Sequence, residues 1–192
     1  MDYMDYKNDF IKFMVQSGVL TFGEFITKSG RKSPYFINTG NYKTGTQLAR
    51  LGKFYADCIM ENMEKGFLNR DVTALFGPAY KGIPISVAAA VALAEKHGTD
   101  INYCSNRKEA KDHGEGGSLL GYQLSAGDSV LIVEDVITAG TAMRDCVPML
   151  KELGVSIGGL VISVDRMERG AGSKTAIQEL KEEYDIRTYP II

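Results

Sequence analysis

Residues 130–142 read Val-Leu-Ile-Val-Glu-Asp-Val-Ile-Thr-Ala-Gly-Thr-Ala. The run Ser129 to Val133 has strand length and continuous apolar character, the pattern of a strand buried on both faces. It brings two adjacent carboxylates, Glu134 and Asp135, to its polar end. Glu134 to Thr138 reads as a turn, and a helix is expected from about Gly140 to Leu153. The first backbone N–H groups of such a helix have no intrahelical partner, and the helix dipole favours an anion there. Gly140 permits close backbone approach, and the hydroxyls of Thr138 and Thr141 add donors. A bare Thr-x-Gly-Thr string is as well explained by a threonine helix cap. The carboxylate pair just before it favours a sugar phosphate, with amides for the phosphate and carboxylates for the ribose hydroxyls.

Outward from this stretch, related patterns recur. Thr73 to Phe76 is an apolar run, followed by Gly77-Pro-Ala-Tyr-Lys-Gly82 and an Ala/Val-rich helix to about Lys96. Ile101 to Cys104 is another run, followed by a polar loop to Gly117, and Ile157 to Val164 reads as a further buried strand. Residues 174–184 are helix-like, and Arg187 to Ile191 reads as an edge strand. Alternating strands and helices with continuous apolar strands imply an α/β fold, a central mostly parallel sheet flanked by helices. Ligands of such sheets bind beyond the carboxyl ends of the strands, so the loops after residues 76, 104, 133 and 164 are expected to share one site. Nearer the N-terminus, Tyr6, Phe10, Phe13, Met14 and Val15 give a helix stopped by Gly18. Residues 18–43 read as strands and turns, and Leu48 to Met63 as a second helix.

With 192 residues and 44% hydrophobic content, the length favours a single domain spanning 1–192 with one sizeable core. The net charge of −2 argues against a broad nucleic-acid surface. Cys58, Cys104 and Cys146 are odd in number and far apart, which disfavours structural zinc and disulfides and fits a reducing compartment. No stretch of about 18 apolar residues is present. The opening MDYMDYKNDF lacks a signal peptide's basic and apolar regions, so a cytoplasmic location is expected.

Three other segments carry chemistry. Residues 105–117, Ser-Asn-Arg-Lys-Glu-Ala-Lys-Asp-His-Gly-Glu-Gly-Gly, hold three cations, a histidine and three glycines with almost no apolar content. Taken alone this is a surface loop. As a hinged flap it would bring Arg107, Lys108, Lys111 and His113 onto a polyanion and exclude water. Residues 25–38, Phe-Ile-Thr-Lys-Ser-Gly-Arg-Lys-Ser-Pro-Tyr-Phe-Ile-Asn, place three cations in a glycine- and proline-containing turn. Asp165-Arg-Met-Glu-Arg-Gly170 follows the last buried strand, where Arg166 suits a planar carboxylate or a strand-end ion pair.

The stretch 130–142 resembles the phosphoribosyl diphosphate signature of the type I phosphoribosyltransferases. The string N-R-K-E-x-K-D-H-G-E-G-G resembles the catalytic loop of the orotate branch of that family, and residues 25–38 resemble that branch's N-terminal hood. The resemblance spans roughly residues 20 to 170. It implies a hood at about 18–43 together with the C-terminal segment, and a mobile flap at about 105–117. It implies a phosphoribosyl diphosphate site of Lys28, Tyr80, Lys81, Arg107, Lys108, Lys111, His113, Glu134, Asp135, Val136, Ile137, Thr138, Ala139, Gly140, Thr141 and Ala142. Within it, Thr138 to Ala142 bind the 5-phosphate and Glu134 and Asp135 meet the ribose diol. Arg107, Lys108, Lys111, His113 and Asp135 carry catalysis, and Lys28, Phe36, Ile37, Thr138 and Arg166 bind orotate. Many relatives have an aromatic residue where this chain has Ile37, and many hold a non-proline cis peptide in the turn matching Gly77 to Gly82.

The implied reaction transfers ribose 5-phosphate from phosphoribosyl diphosphate to N1 of orotate, giving orotidine 5′-phosphate and diphosphate in UMP biosynthesis. Magnesium would be held mainly through the substrate, with no direct protein ligand. The working unit would be a homodimer with flap residues shared across the interface. The rivals are an enzyme of the same fold acting on a purine or uracil, and a phosphoribosyl diphosphate-sensing regulator that binds nucleic acid. The flap string and Arg166 disfavour the first, and the net charge disfavours the second.

Overall fold

A computed structural model of the chain describes residues 3–26, 30, 32–107, 118–137, 140–167 and 174–192. Its contacts divide into two units, residues 1–50 and 51–192.

In the first unit, helix α1 (Tyr3–Gln16) buries Tyr6, Phe10, Phe13 and Met14 at helical spacing. Val15, expected among the apolar positions of this helix, is instead 44% exposed. Gly18 takes the left-handed conformation at φ 64°, and the Val19 N–H bonds back to the Met14 carbonyl, closing the helix. An antiparallel hairpin follows, β1 (Leu20–Ile26) with β2 (Lys32–Ile37), Leu20 lying opposite Ile37. Asn41 Nδ2 donates to the Gly18 carbonyl at 2.7 Å and ties the end of the hairpin to the helix stop. Phe13 stacks on Tyr42 with ring centres 5.3 Å apart, and the Arg50 guanidinium covers the Phe13 ring. Helix α2 (Gly45–Glu64) begins here and continues into the second unit.

The second unit is built on a six-stranded sheet. Its strands are β3 (Ala74–Phe76), β4 (Asn102–Asn106), β5 (Leu119–Gly121), β6 (Ser129–Val136), β7 (Ser156–Val164) and β8 (Thr188–Pro190), in the order β5-β4-β3-β6-β7-β8. All neighbours are parallel except β4 and β5. The helices are α3 (Gly82–His97), α4 (Thr141–Glu152) and α5 (Ala176–Tyr184). Phe76, Cys104, Val130, Ile132, Leu160 and Ile162 share a core with Met143, Val147 and Leu150 of α4 and Leu180 of α5. The alternate residues Leu75, Leu131 and Val161 point to the other face and are equally buried, with α3 packed across β3, β4 and β6. Both faces are therefore covered, which is why these strands are continuously apolar. The three cysteines are free and buried.

The fold class is the expected one, with two local differences. β6 does not end at Val133 but continues through Glu134, Asp135 and Val136, paired to β7 as far as Val164. β5 was not anticipated: three residues are too few to show a period, and only pairing with β4 makes them a strand. At the C-terminus, β8 pairs with β7 as the edge strand of the main sheet, as expected for Arg187 to Ile191. Ile191 and Ile192 donate to the carbonyls of Ile162 and Ser163.

Candidate active site

A cavity of about 240 Å³ opens at the carboxyl ends of β3 and β6. One wall is Ala79, Tyr80 and Lys81, from the turn between β3 and α3. The other is Glu134 to Ile137 with Gly140 to Met143, from the end of β6 and the start of α4. Of the four loops expected to meet, those after β3 and β6 line the cavity. The end of β4 supports it through Asn106, whose Oδ1 accepts from the Ala79 N–H at 2.9 Å. None of the described residues of the loop after β7 lines it.

The β3–α3 turn folds tightly on itself. A Cβ on Gly77 would lie 2.1 Å from the Gly82 carbonyl oxygen, so no side chain fits there. The Ala79–Tyr80 peptide is cis, as the family resemblance implied. The turn leaves Tyr80 67% exposed and projects Lys81, whose Nζ meets Asp135 Oδ2 at 3.0 Å.

The end of β6 carries its two acids with hydrogen-bond partners supplied by neighbouring elements and by its own backbone. The Tyr55 hydroxyl donates to the Glu134 carbonyl at 2.7 Å, and the Ser163 hydroxyl to the Asp135 carbonyl at 2.6 Å. Glu134 Oε1 accepts from the Asp135 N–H, and Asp135 Oδ1 accepts from the Val136 N–H. Both residues are buried, at 8% and 6% exposure. Burial pushes the Glu134 carboxyl up from 4.5 to about 8, with the neighbouring Asp135 charge adding to it, while the Asp135 N–H and Lys81 oppose the rise. Glu134 therefore holds its proton more tightly than an ordinary carboxyl does, chiefly because it is buried.

This has a thermodynamic consequence. A carboxyl whose folded value is raised contributes stability below its unfolded value and loses it as pH rises through the folded one. The melting temperature of the protein relative to Glu134→Gln is therefore expected to fall between about pH 4.5 and about pH 8, and to be level outside that window. Glutamine keeps the acceptor for the Asp135 N–H, so the comparison isolates the titration. Parallel thermal melts across the range check it, and a flat difference would refute the raised value.

Gly140 caps α4 in the left-handed conformation, φ 71° and ψ 12°, with no side-chain cap. No side chain therefore caps the amides at the start of the helix, and Gly140 to Met143 line the cavity. Arg107 follows β4, its N–H donating to the Ser118 carbonyl and its Nε to the Leu119 carbonyl. Arg166 follows β7, beside an Asp165 whose Oδ1 accepts from the Met167 N–H. Phe36 and Ile37 lie on β2 in the first unit, Phe36 stacked on Phe25 at 5.5 Å. Lys28, Lys108, Lys111, His113, Thr138 and Ala139 lie outside the described residues. The supporting roles of Tyr55, Asn106 and Ser163 and the lining position of Met143 were not read from the sequence. Only Asn106 carried a signal, as part of the N-R-K string.

Residues 38–186 match the phosphoribosyl transferase domain, so the chain belongs to the phosphoribosyltransferase family. Within that family it groups with the orotate phosphoribosyltransferases. The enzyme of that name from Clostridium botulinum (strain Alaska E43 / Type E3) is 56% identical over 188 residues, 97% of this chain and 82% of the relative. That of Shigella flexneri serotype 5b (strain 8401) is 51% identical, over 97% of this chain and 84% of the relative. The crystal structure of the Francisella tularensis orotate phosphoribosyltransferase superposes with a TM-score of 0.82 at 38% identity, covering 95% of this chain and 84% of that one.

Proposed function

We propose that the chain transfers ribose 5-phosphate from phosphoribosyl diphosphate to N1 of orotate, in the biosynthesis of UMP. The N1–C1 bond forms as the C1–O bond to diphosphate breaks, through a state with oxocarbenium character. The products are orotidine 5′-phosphate and diphosphate. The observation that carries this reading is the cavity in which the carboxylate pair of β6, the amide-bearing start of α4 and Lys81 converge. Identity of 51–57% to curated orotate phosphoribosyltransferases supports the choice of base.

In this reading the loop Thr138 to Ala142 holds the 5-phosphate, and Glu134 and Asp135 contact the ribose diol. Tyr80, Lys81 and the flap cations Arg107, Lys108, Lys111 and His113 surround the diphosphate. Lys28, Phe36, Ile37, Thr138 and Arg166 surround orotate. Positioning and charge stabilisation of the leaving group supply the catalysis, and no covalent enzyme intermediate is needed. Glu134 Oε1 and both carboxylate oxygens of Asp135 accept from N–H groups or Lys81. That donor set fits magnesium arriving on diphosphate oxygens, where it would neutralise charge on the leaving group. The flap is proposed to act across a homodimer interface. Three free buried cysteines fit a reducing cytoplasm, and among the described residues no helix is long and apolar enough to cross a membrane.

Incubation with phosphoribosyl diphosphate, magnesium and orotate should deplete orotate absorbance only when all three are present, and uracil or adenine should not replace orotate. Absence of depletion by folded protein would overturn the choice of base. Arg166→Ala is expected to raise the KM for orotate through loss of a two-armed carboxylate contact. A change confined to the KM for phosphoribosyl diphosphate would show that Arg166 is not at the base.

A further inference from the structure

The Arg144 N–H closes the first turn of α4 on the Gly140 carbonyl at 3.0 Å, but no side chain caps that turn. Gly140 supplies no side-chain cap, and Pro148 within the helix has no N–H to give the Arg144 carbonyl one turn back. The Arg144 side chain lies where support is missing. Its Nη2 donates to Glu179 Oε2 at 3.1 Å and its Nε to Glu183 Oε2 at 3.2 Å, both one turn apart on α5. Its Nη1 lies behind the loop: a Cβ built on Gly140 would be 3.2 Å from it and 3.7 Å from Leu180 Cδ2. The guanidinium thus fills the space that the left-handed glycine leaves open, and two carboxylates of another helix fix its plane. Helix α5 is itself anchored, by a Thr175–Gln178 capping box and the buried Leu180.

We infer that Arg144, clamped by Glu179 and Glu183, is a positioning residue that holds Gly140 and the first turn of α4 in the geometry that binds the 5-phosphate. The inference rests on the reading of this loop as the phosphate cradle. Arg144 itself need not touch substrate. It acts by limiting the conformations of amides that do, as the supporting residues of a binding site generally must.

Simple electrostatics predicts the opposite sign for the glutamates. Two carboxylates near a phosphate site repel the anion, so their neutralisation should tighten binding. If they act through Arg144, their neutralisation loosens the loop and weakens binding. The test is calorimetric binding of ribose 5-phosphate, with steady-state kinetics, for the wild type, the double variant Glu179→Gln/Glu183→Gln, and Arg144→Met. Ribose 5-phosphate affinity is expected to fall about tenfold in both variants, with a parallel rise in the KM for phosphoribosyl diphosphate. The kcat and the KM for orotate should change little, a split that general damage to the fold would not give. Unchanged or tighter ribose 5-phosphate binding by the glutamine pair overturns the inference. The glutamates are partly exposed, at 27% and 44%, so that variant tests the clamp even if Arg144→Met does not fold. An active wild type with insensitive variants would remove the clamp and leave the proposed function standing. A wild type inactive on orotate whose ribose 5-phosphate binding still depends on the glutamates would do the reverse. Absence of both turnover and ribose 5-phosphate binding would overturn both.

Discussion

Replacing Lys111 with alanine is expected to lower kcat about 100-fold, the scale set by removal of one charged donor from a developing anion. As the C1–O bond breaks, negative charge collects on the departing diphosphate. A flap ammonium brought against it in a site closed to water stabilises that charge more than it stabilises bound substrate, so the loss should fall on kcat rather than on KM. The other proposed flap cations, Arg107, Lys108 and His113, share the same charge, which limits the loss from any one of them. Steady-state turnover at saturating orotate and phosphoribosyl diphosphate measures the effect. An unchanged kcat would remove the flap from the mechanism. The same variant tests the proposed homodimer. Mixed with Arg166→Ala after dissociation and reassociation, it should regain activity if each flap serves the partner's site, because one site of the hybrid then carries neither defect. No recovery from a demonstrated hybrid would place the flap over its own subunit's site.

The second large effect is on stability. Gly52 of α2 faces the backbone of α3, and a Cβ there would lie 2.2 Å from the Ala88 carbonyl oxygen and 2.5 Å from its carbon. Those atoms belong to a helix packed on three strands and cannot move singly. Alanine at an open helix position would be favourable by about 1 kcal/mol. Here Gly52→Ala is expected to destabilise by about 3 kcal/mol or more, because the helices must separate and lose their packing. Urea unfolding should show a lower midpoint with little change in slope. A midpoint equal to that of the wild type would mean that the two helices are not in backbone contact. Helix α3 begins where the Lys81 turn ends, so any folded fraction of this variant should also bind phosphoribosyl diphosphate less tightly.

The sequence by itself determined the features that consecutive residues can encode. The run from Val130 to Val133 had to be a strand buried on both faces, since it offers no polar side to water. The Gly140-Thr141 helix start had to present amides, and the acids before it had to stand at the strand's end. The family resemblance was legible for the same reason, because its motifs are contiguous strings. Tertiary structure decided everything that depends on distant partners. Lys81 reaches Asp135 across 54 residues, and Tyr55 meets the Glu134 carbonyl across 79. Those contacts let β6 run on through two acids where the local pattern read as a turn. The raised carboxyl of Glu134 comes chiefly from burial, a property of the packed sheet and not of the tripeptide around it. β5 is too short to show a period, and the C-terminal strand joins the main sheet because β7 leaves an edge to pair. Local order follows from the spacing of apolar groups along the chain, whereas ionisation, support and strand pairing follow from which groups folding removes from water together.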